Sequence, residues 1–548
     1  MMFLNSGSGA IQVNGSFSFQ IENTIFQNNS ISYSSVFTGG GGAAISIFNV
    51  RNNTFSNSIF SHNSVCGGGG GAAIYIEYYS SSSNGDISQN SNSFTNCSFS
   101  NNHVDGAGGA IFIEYYSSYY FNGDISQNSN SFTNCNFTNN YVNGINGQGG
   151  VVFIEYSFLS NEDDIISYNS NSFTNCNFSN NYVNVGGGGA ISIKYSSFSN
   201  SAGDISSNSN SFTNCNFSNN SVNVGGGAIS IEYSSFSNSA GDISQNSNSN
   251  SFTNCSFSNN YVNVGGGAIS IEYSSSNGNG DISQNSNAFT NCSFSNNYVN
   301  LGGGAISIEY FPSNDFGDIS HNSNNFTNCN FSNNYVNGIN GQGGQGGAIS
   351  IEYNANENDI THNRNFFTNC NFSNNHVEGI EGQGGAIFIE YPYSNGNGDI
   401  SQNSNYFTNC NFSNNHLNRT DGIGGGGGGA GGAIYFENTQ NNTLAFCVFS
   451  NNSARIGGAI ASIDSQLLIS SSNFTNNFAT RGGNGGAISL NYLHANYDFE
   501  CFDCRFEQNS VSSLPNLIGK GGAFYVQSAF AQNPSISFYS CYFEGTKL

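Results

Sequence analysis

The chain has 548 residues, with 33 Asp+Glu against 9 Lys+Arg and a formal net charge of −24. So few bases exclude a duplex-binding protein, which needs Lys or Arg to displace counterions from phosphate. The dominance of Gly, Asn and Ser excludes an ordinary helical protein, and an aromatic content of 14% argues against disorder.

The opening Met1-Met2-Phe3-Leu4-Asn5 has neither the charged region nor the apolar stretch of a signal peptide. No segment approaches the ~18 apolar residues of a membrane span. From Gly9-Ala10-Ile11 onward, one unit recurs: a Phe, an Asn three residues later, then Gly-Gly-Ala-Ile. The Phe positions are 26, 60, 99, 137, 178, 217, 257, 294, 331, 372, 412, 449, 474, 506 and 543. The spacing averages about 37 residues, within the range of solenoid repeats. Only the last unit lacks the Asn, with Thr546 in its place. The whole chain, 1–548, reads as a single repeat domain. Residues 1–66 are a less regular start, 67–437 regular repeats, and 438–548 divergent repeats.

Within a unit, Ala305-Ile306-Ser307-Ile308-Glu309-Tyr310 alternates with period two, a half-buried strand with its isoleucines inward. Asp318-Ile319-Ser320 is a second short strand signal, and Cys329-Asn330-Phe331 a third. Phe326 and Phe331 differ in parity, so the chain must bend near Thr327-Asn328. Three short strands separated by bends make one coil. Stacked coils make an all-β, right-handed parallel β-helix of about fifteen rungs with variable corner loops. At ~4.8 Å per rung this is a rod roughly 70 Å long. The shortest spacing, Phe449 to Phe474, still retains Gly457-Gly458-Ala459-Ile460, which suits one bare rung better than a two-rung repeat. Loops enter at two corners, as in Ser274–Asn279 and Gly338–Gly344.

Stacking turns each position into a column. The Asn of each Phe-x-x-Asn should lie at a bend and bond its equivalents above and below. The Gly pair suits a corner where a Cβ would crowd. Ten of the 14 cysteines are in register, from Cys97 and Cys135 to Cys410 and Cys447. Ser472 interrupts the series before Cys504 and Cys541 resume it. An inward free thiol packs as a small hydrophobe. Neighbouring rungs are close enough for disulfides, though in-register stacking does not favour the dihedral. Cys66 and Cys501 fall off the ladder, and Cys501-Phe502-Asp503-Cys504 is a CxxC without a second pair, a weak zinc or redox signal.

The pattern resembles the polymorphic outer membrane protein (Pmp) repeat family, whose marks are Gly-Gly-Ala followed by Ile, Leu or Val, and Phe-x-x-Asn. Here they read Gly226-Gly227-Ala228-Ile229 with Phe217 and Asn220, and Gly303-Gly304-Ala305-Ile306 with Phe294 and Asn297. The resemblance covers nearly the whole chain. It implies right-handed β-helices displayed on cell surfaces, often as adhesins.

Parity puts one acid column outward: Glu77, Glu114, Glu155, Lys194, Glu232, Glu272, Glu309, Glu352, Glu390 and Glu437. A second contains Asp86, Asp124, Asp204, Asp242, Asp281, Asp318 and Asp399, joined by Asp164 and Asp359. Like charges one rung apart repel by about 0.9 kcal/mol even in bulk water. Such columns bind cations, raise their own pKa, or splay into solvent. Lys194 should relieve its neighbours. The candidate cation positions are Glu232, Glu272, Glu309, Asp242, Asp281 and Asp318. No cofactor is expected unless these take Ca²⁺, and the plainer reading is a solvated acidic face. Tyr233, Tyr273 and Tyr310 belong to a Tyr column beside the Glu column and are a candidate sugar-stacking surface, or else a corner-packing ladder. His376 with His416, and His321 with His362, share slots in adjacent units, where stacking competes with metal binding. Asn177, Asn216, Asn330, Asn371 and Asn411 are outward sequons, available for glycans in a secretory pathway.

The reading is a noncatalytic extracellular or cell-surface protein, an adhesin-like or structural rod. Its partners would be host-cell or matrix glycans or proteins, with no nucleic acid and no membrane span. Uncapped ends suggest a fragment or end-to-end self-association. The alternative is a β-helical polysaccharide lyase or glycoside hydrolase. For it the candidate acids are Glu162-Asp163-Asp164 and Asp315 near Asp318, with no constellation that names a catalytic residue.

Overall fold

The computed structural model describes residues 1–4, 9–15, 17–32, 41–67, 70–80, 85–106, 108–118, 123–143, 149–160, 163–199, 203–237, 241–243, 248–276, 280–312, 317–338, 344–355, 358–379, 382–391, 399–418, 429–493, 497–512, 519–528 and 534–546. Among them every regular element is a strand. The protein is an all-β parallel solenoid of the right-handed type. Two compact units are present, and each repeats the same construction. The first comprises Met1–Asn263, Ala268–Ala288 and Tyr310–Asp318. The second comprises Val264–Gly267, Phe289–Glu309 and Ile319–Leu548.

One turn of the first unit runs through Ile111–Ser117, Ile125–Ser126, Ser129–Thr133, Asn136–Thr138 and Tyr141–Val142. Each strand pairs in parallel with its counterpart one turn on. Glu114 faces Glu155, Phe132 faces Phe173, and Phe137 faces Phe178. In the second unit the same turn reads Ile349–Tyr353, Ile360–Thr361, Arg364–Thr368, Asn371–Ser373 and His376–Glu378.

These turns carry more strands than the three that the pattern suggests. Gln127 (φ 57°), Asn134 (φ 54°) and Asn139 (φ 55°) all sit in the left-handed region, and each cuts an extended run into two strands. Asn is among the residues that adopt this conformation at low cost. The number of strands per column also departs modestly from fifteen. The Phe-centred strand has an extra copy at Met2–Leu4, while the last drawn Tyr/His-Val strand is Ser510–Val511. The short spacing is one bare rung: Ile434 pairs with Ile460 and Phe449 with Phe474.

The core contains two columns of stacked Phe and columns of Ile, among them those of Ile111, Ile113 and Ile125. Phe137 stacks on Phe178 with centroids 4.6 Å apart and ring planes nearly parallel. Phe132 meets Phe137 edge-on at 6.3 Å across the bend. Phe326 and Phe331 do the same around Asn328 (φ 53°), where the parity change places the bend. Full burial of each ring stabilises by roughly 1.5–3 kcal/mol, and stacking adds to it. At the Gly corner a Cβ on Gly226 would stand 1.7 Å from the Ile229 carbonyl oxygen, so no side chain fits there.

The Phe-x-x-Asn residues form the expected ladder. Asn140 donates both its backbone N–H (3.1 Å) and its Nδ2 (3.1 Å) to Asn181 Oδ1, and Nδ2 also reaches the Phe99 carbonyl at 3.0 Å. The same three bonds recur at Asn181 and at Asn375. Repetition thus satisfies a buried amide on every turn.

Candidate functional site

The Tyr column lies inside. Tyr233, Tyr273 and Tyr310 are 0% exposed, and their rings stack at 4.9 Å. The Tyr233 hydroxyl donates to Asn250 Oδ1 (3.1 Å) and accepts from Asn210 Nδ2 (3.1 Å). Tyr273 donates to Asn287 (3.0 Å) and accepts from Asn250 (3.1 Å), and Tyr310 accepts from Asn287 at 3.4 Å. The same Asn residues bond one another, Asn210 to Asn250 at 2.9 Å. Burial pushes the Tyr233 and Tyr273 hydroxyls far up from their usual pKa. These rings are therefore not the sugar-stacking surface; they are the polar half of the core.

Aromatic rows that reach solvent lie elsewhere, Phe198 on Phe236 among them. Tyr141 stacks on Tyr182 at 5.0 Å, and Tyr141 and Tyr261 are 38% and 36% exposed. The Tyr141 and Tyr182 hydroxyls donate to Asn143 and Asn184, both at 3.1 Å. In the second unit Tyr298 stacks on Tyr335 at 5.1 Å and Tyr335 on His376 at 5.0 Å. His376 also contacts His416 and Glu378. His321 and His362 stack at 4.6 Å.

The Glu column faces outward and is half-buried. Glu232 and Glu272 are register partners. Lys194 lies 3.5 Å from Glu232 and also favours the charged form of Glu155, against the burial that raises its pKa. It therefore relieves both neighbours. Where no Lys intervenes, burial, and then the charge of Glu352, pushes Glu309 up to about 7, with the Ser307 hydroxyl opposing. Burial pushes Glu352 to about 7, opposed by Ser350 and reinforced by Glu390. Glu390 reaches about 7 through burial and then Glu437.

The Asp column is a backbone ladder. Asp242 N–H donates to Asp204 Oδ1 (3.1 Å), Asp281 N–H to Asp242 Oδ1 (3.0 Å) and Asp318 N–H to Asp281 Oδ1 (3.0 Å). One carboxylate oxygen of Asp204, Asp242 and Asp281 is thereby committed. Asp164 is not in this column. Ile165 pairs with Asp204 and takes the Asp124 bond at 3.0 Å, because in this turn Ile165 itself stands in the column's place directly before Ile166-Ser167, and the acid falls one residue earlier. Asp164 instead turns inward, buried, with Oδ2 unpartnered. Glu162 and Asp315 lie outside the described residues, as do 277–279 and 339–343 of the expected corner loops.

The cysteines are free thiols. In the ladder the thiols donate to a carbonyl two residues back, as Cys176 does to Thr174 (3.4 Å), and Cys135, Cys176, Cys215, Cys255, Cys329, Cys370, Cys410 and Cys447 also reach the preceding turn's Phe carbonyl, in Cys176 that of Phe132 (3.4 Å). The hydrogen bond shared with Cys135, opposed by that with Cys215 and reinforced by burial, pushes Cys176 up to about 12. Such thiols are packing groups rather than nucleophiles. Sequons are half-exposed or exposed, but laddered too: Asn216 Nδ2 donates to Asn177 Oδ1 at 2.8 Å.

The family model described as the Chlamydia polymorphic membrane protein (Chlamydia_PMP) repeat matches residues 96–114, 214–232, 254–272, 291–309 and 369–390. These five stretches are similar to that repeat. Each match begins at the left-handed Asn before the ladder Cys and ends at the outward Glu. The Pmp repeat thus spans the Phe strand, the Asn ladder and the Gly-Gly-Ala-Ile corner. Comparison with curated proteins gives no match. Among the described residues no helix is long and apolar enough to cross a membrane.

One cluster in the last Pmp-like turns escapes the column-by-column reading. Cys501 occupies the slot of the first Phe column, pairing with Ile469 before it and Phe538 after it. Asp503 (φ 53°) makes the bend that Asn makes elsewhere. Cys501 and Cys504 therefore both face the interior, one on each side of the bend. Counting parity across that bend would have found this.

Proposed function

We propose that the protein is a noncatalytic repeat scaffold displayed at a cell surface, adhesin-like or structural in role. One observation carries the reading: the residue types that would supply chemistry are spent in building the solenoid. The Tyr hydroxyls are tied to Asn amides inside. The Asp carboxylates accept backbone N–H groups, and the ladder thiols are buried. What reaches solvent includes the half-buried outward Glu column and, on another sheet, the Tyr141, Tyr182 and Tyr261 rings. The match to a membrane-protein repeat supports display at a surface.

Tyr141 and Tyr182 cover each other's faces and Ser221 separates them from Tyr261, so the column offers a sugar its exposed ring edges and the faces at the break, with the neighbouring Asn side chains as hydrogen-bonding groups. Glycans of a host cell or matrix are the ligand class this column fits. Ca²⁺ has a lesser place: Asp204, Asp242 and Asp281 each already commit an oxygen, and Glu309, Glu352 and Glu390 relieve their repulsion by holding protons.

The test is a glycan pull-down with the full chain, with and without Ca²⁺, assaying the same tubes for new reducing ends and unsaturated products. Binding without product is expected. It should weaken about tenfold in Tyr141→Ala with Tyr261→Ala and stay unchanged in Tyr233→Phe, which lies inside. Product release would overturn the reading in favour of a polysaccharide-degrading enzyme.

A further inference from the structure

Cys501, Cys504 and Cys541 bring their three sulfurs within 4.8 Å of one another. Among the described residues this is the one group of three or more His, Cys, Asp or Glu whose ligand atoms converge in this way. The Cys ladder does not do so, because a straight column spaced by about 4.8 Å leaves alternate thiols about two rungs apart. The trio closes into a triangle because Cys501 leaves the column. It takes a Phe slot across the Asp503 bend, while Cys504 and Cys541 keep the ladder position in successive turns. Cys541 Sγ donates to the Cys501 carbonyl at 3.3 Å and Cys504 Sγ to the Phe502 carbonyl at 3.2 Å. Cys501 and Cys504 are buried, and Cys541 is half-exposed. Phe499 and Phe538, 5.4 Å apart, pack beside the trio's strands.

We propose that Cys501, Cys504 and Cys541 form a three-thiolate site for Zn²⁺, with water from the Cys541 side as the fourth ligand. A Zn–S bond of about 2.3 Å in tetrahedral geometry needs sulfurs about 3.8 Å apart, so contraction by about 1 Å or less makes the site. Binding releases three thiol protons to solvent and forms three Zn–S bonds, leaving a centre of net charge −1. No oxidant or reductant is involved. All-sulfur ligation selects a soft or borderline ion over Ca²⁺ or Mg²⁺. The two buried thiols and the stiff strands that carry them limit the reorganisation that binding requires.

The experiment uses the full chain, reduced and kept anaerobic, titrated with Zn²⁺ against a chromophoric chelator, with bound metal counted after desalting. Co²⁺ serves as the spectroscopic probe. One Zn²⁺ per chain is expected, with an intense tetrahedral Co²⁺ spectrum and thiolate charge-transfer bands. Cys541→Ser, at the half-exposed corner, should weaken binding at least tenfold while leaving the fold intact. Cys410→Ser, in the ladder, should bind as the native chain does. The proposal is overturned if the reduced chain binds no Zn²⁺. It is equally overturned if Cys504→Ser and Cys541→Ser bind unchanged, or if Cys410→Ser abolishes binding.

Discussion

Within the second unit one interior column changes character along its length. Asn324, Asn365, Asn405 and Asn442 come first, in register. Leu467, Phe499 and Ile536 then continue the same column. In the polar stretch each amide donates to the next: Asn324 to Asn365 (2.8 Å), Asn365 to Asn405 (2.7 Å) and Asn405 to Asn442 (2.7 Å). The Tyr353 hydroxyl donates to Asn365 at 3.1 Å. At the junction Leu467 offers no acceptor, and Asn442 donates instead to the Gln466 carbonyl (2.7 Å) and to Thr439 (2.6 Å). An amide column is directional and must end on an acceptor, whereas an apolar column needs only shape. A polar core is affordable in a solenoid because each turn supplies the partner for the next.

The most severe way to break the polar stretch is Asn365→Leu. It removes the Asn365 oxygen that accepts from the Tyr353 hydroxyl and from Asn324, leaving Asn324 its bond to the Tyr353 oxygen at 3.2 Å, and it also removes the donor to Asn405, at an expected cost of about 3–5 kcal/mol. The converse change, Leu467→Asn, supplies an acceptor to Asn442 but faces Phe499 with its own amide. It should cost less, about 2–3 kcal/mol. Because repeat arrays do not unfold in one step, native-state hydrogen exchange is the proper readout, turn by turn. If Leu467→Asn proves the more damaging, directionality is not what holds the column together.

The outward face sharpens the same contrast through pH. Glu309, Glu352 and Glu390 have folded pKa values raised to about 7 by burial and by one another. A carboxyl raised above its unfolded value holds its proton in the native state, so the folded chain binds more protons between pH ~4.5 and ~7. Stability is highest at the acid end of that window and falls as pH rises through it. The loss should be about 1 kcal/mol per carboxyl once solvent screening is allowed for. The melting temperature should drop from pH 5 to pH 8, and Glu352→Gln should flatten the curve. A rise over that range would contradict the stacked-acid account. At pH 8, Ca²⁺ that restores the loss, and chelation that reverses the gain, would show the column acting as a cation site after all.

How much of this was legible beforehand follows from which residues repeat. The Phe, Asn and Gly positions, and hence the solenoid, are visible because the same side chain must recur wherever it stacks on itself. Tyr310 was also within reach. In Ile306-Ser307-Ile308-Glu309-Tyr310 strict alternation sends the Tyr inward, as a packing ladder requires, whereas the sugar-stacking reading rests on its place beside the Glu column. The partner that resolves this, Asn287, lies 23 residues away on another strand and leaves no local signal. Asp164 falls out of its column because Asp164-Ile165-Ile166-Ser167 offers two isoleucines before the Ser, and it is Ile166 that holds the register with Ile205, which leaves Ile165 opposite Asp204. The extra strands per turn follow from left-handed Asn and Gln residues, whose conformation a composition rich in both does not single out.

The smallest expected effect concerns the thiols. At Ser472 the chain already replaces one ladder Cys. That hydroxyl donates to the Ser470 carbonyl at 2.8 Å and accepts the Cys447 N–H at 3.0 Å. A ladder thiol makes the corresponding donation, as Cys370 does to Thr368 at 3.4 Å. Cys370→Ser therefore keeps the hydrogen bond and loses only the burial of a larger, more polarisable atom, a change of about 1 kcal/mol or less. Cys501 has no such precedent: its register partners are Ile469 and Phe538, so Cys501→Ser places a hydroxyl in an apolar slot and should cost more, about 1–3 kcal/mol. Hydrogen exchange in the metal-free, reduced chain measures both. Equal costs would mean that the ladder and the trio are the same kind of thiol, and the distinction between the regular turns and the last ones would rest on the amide column alone.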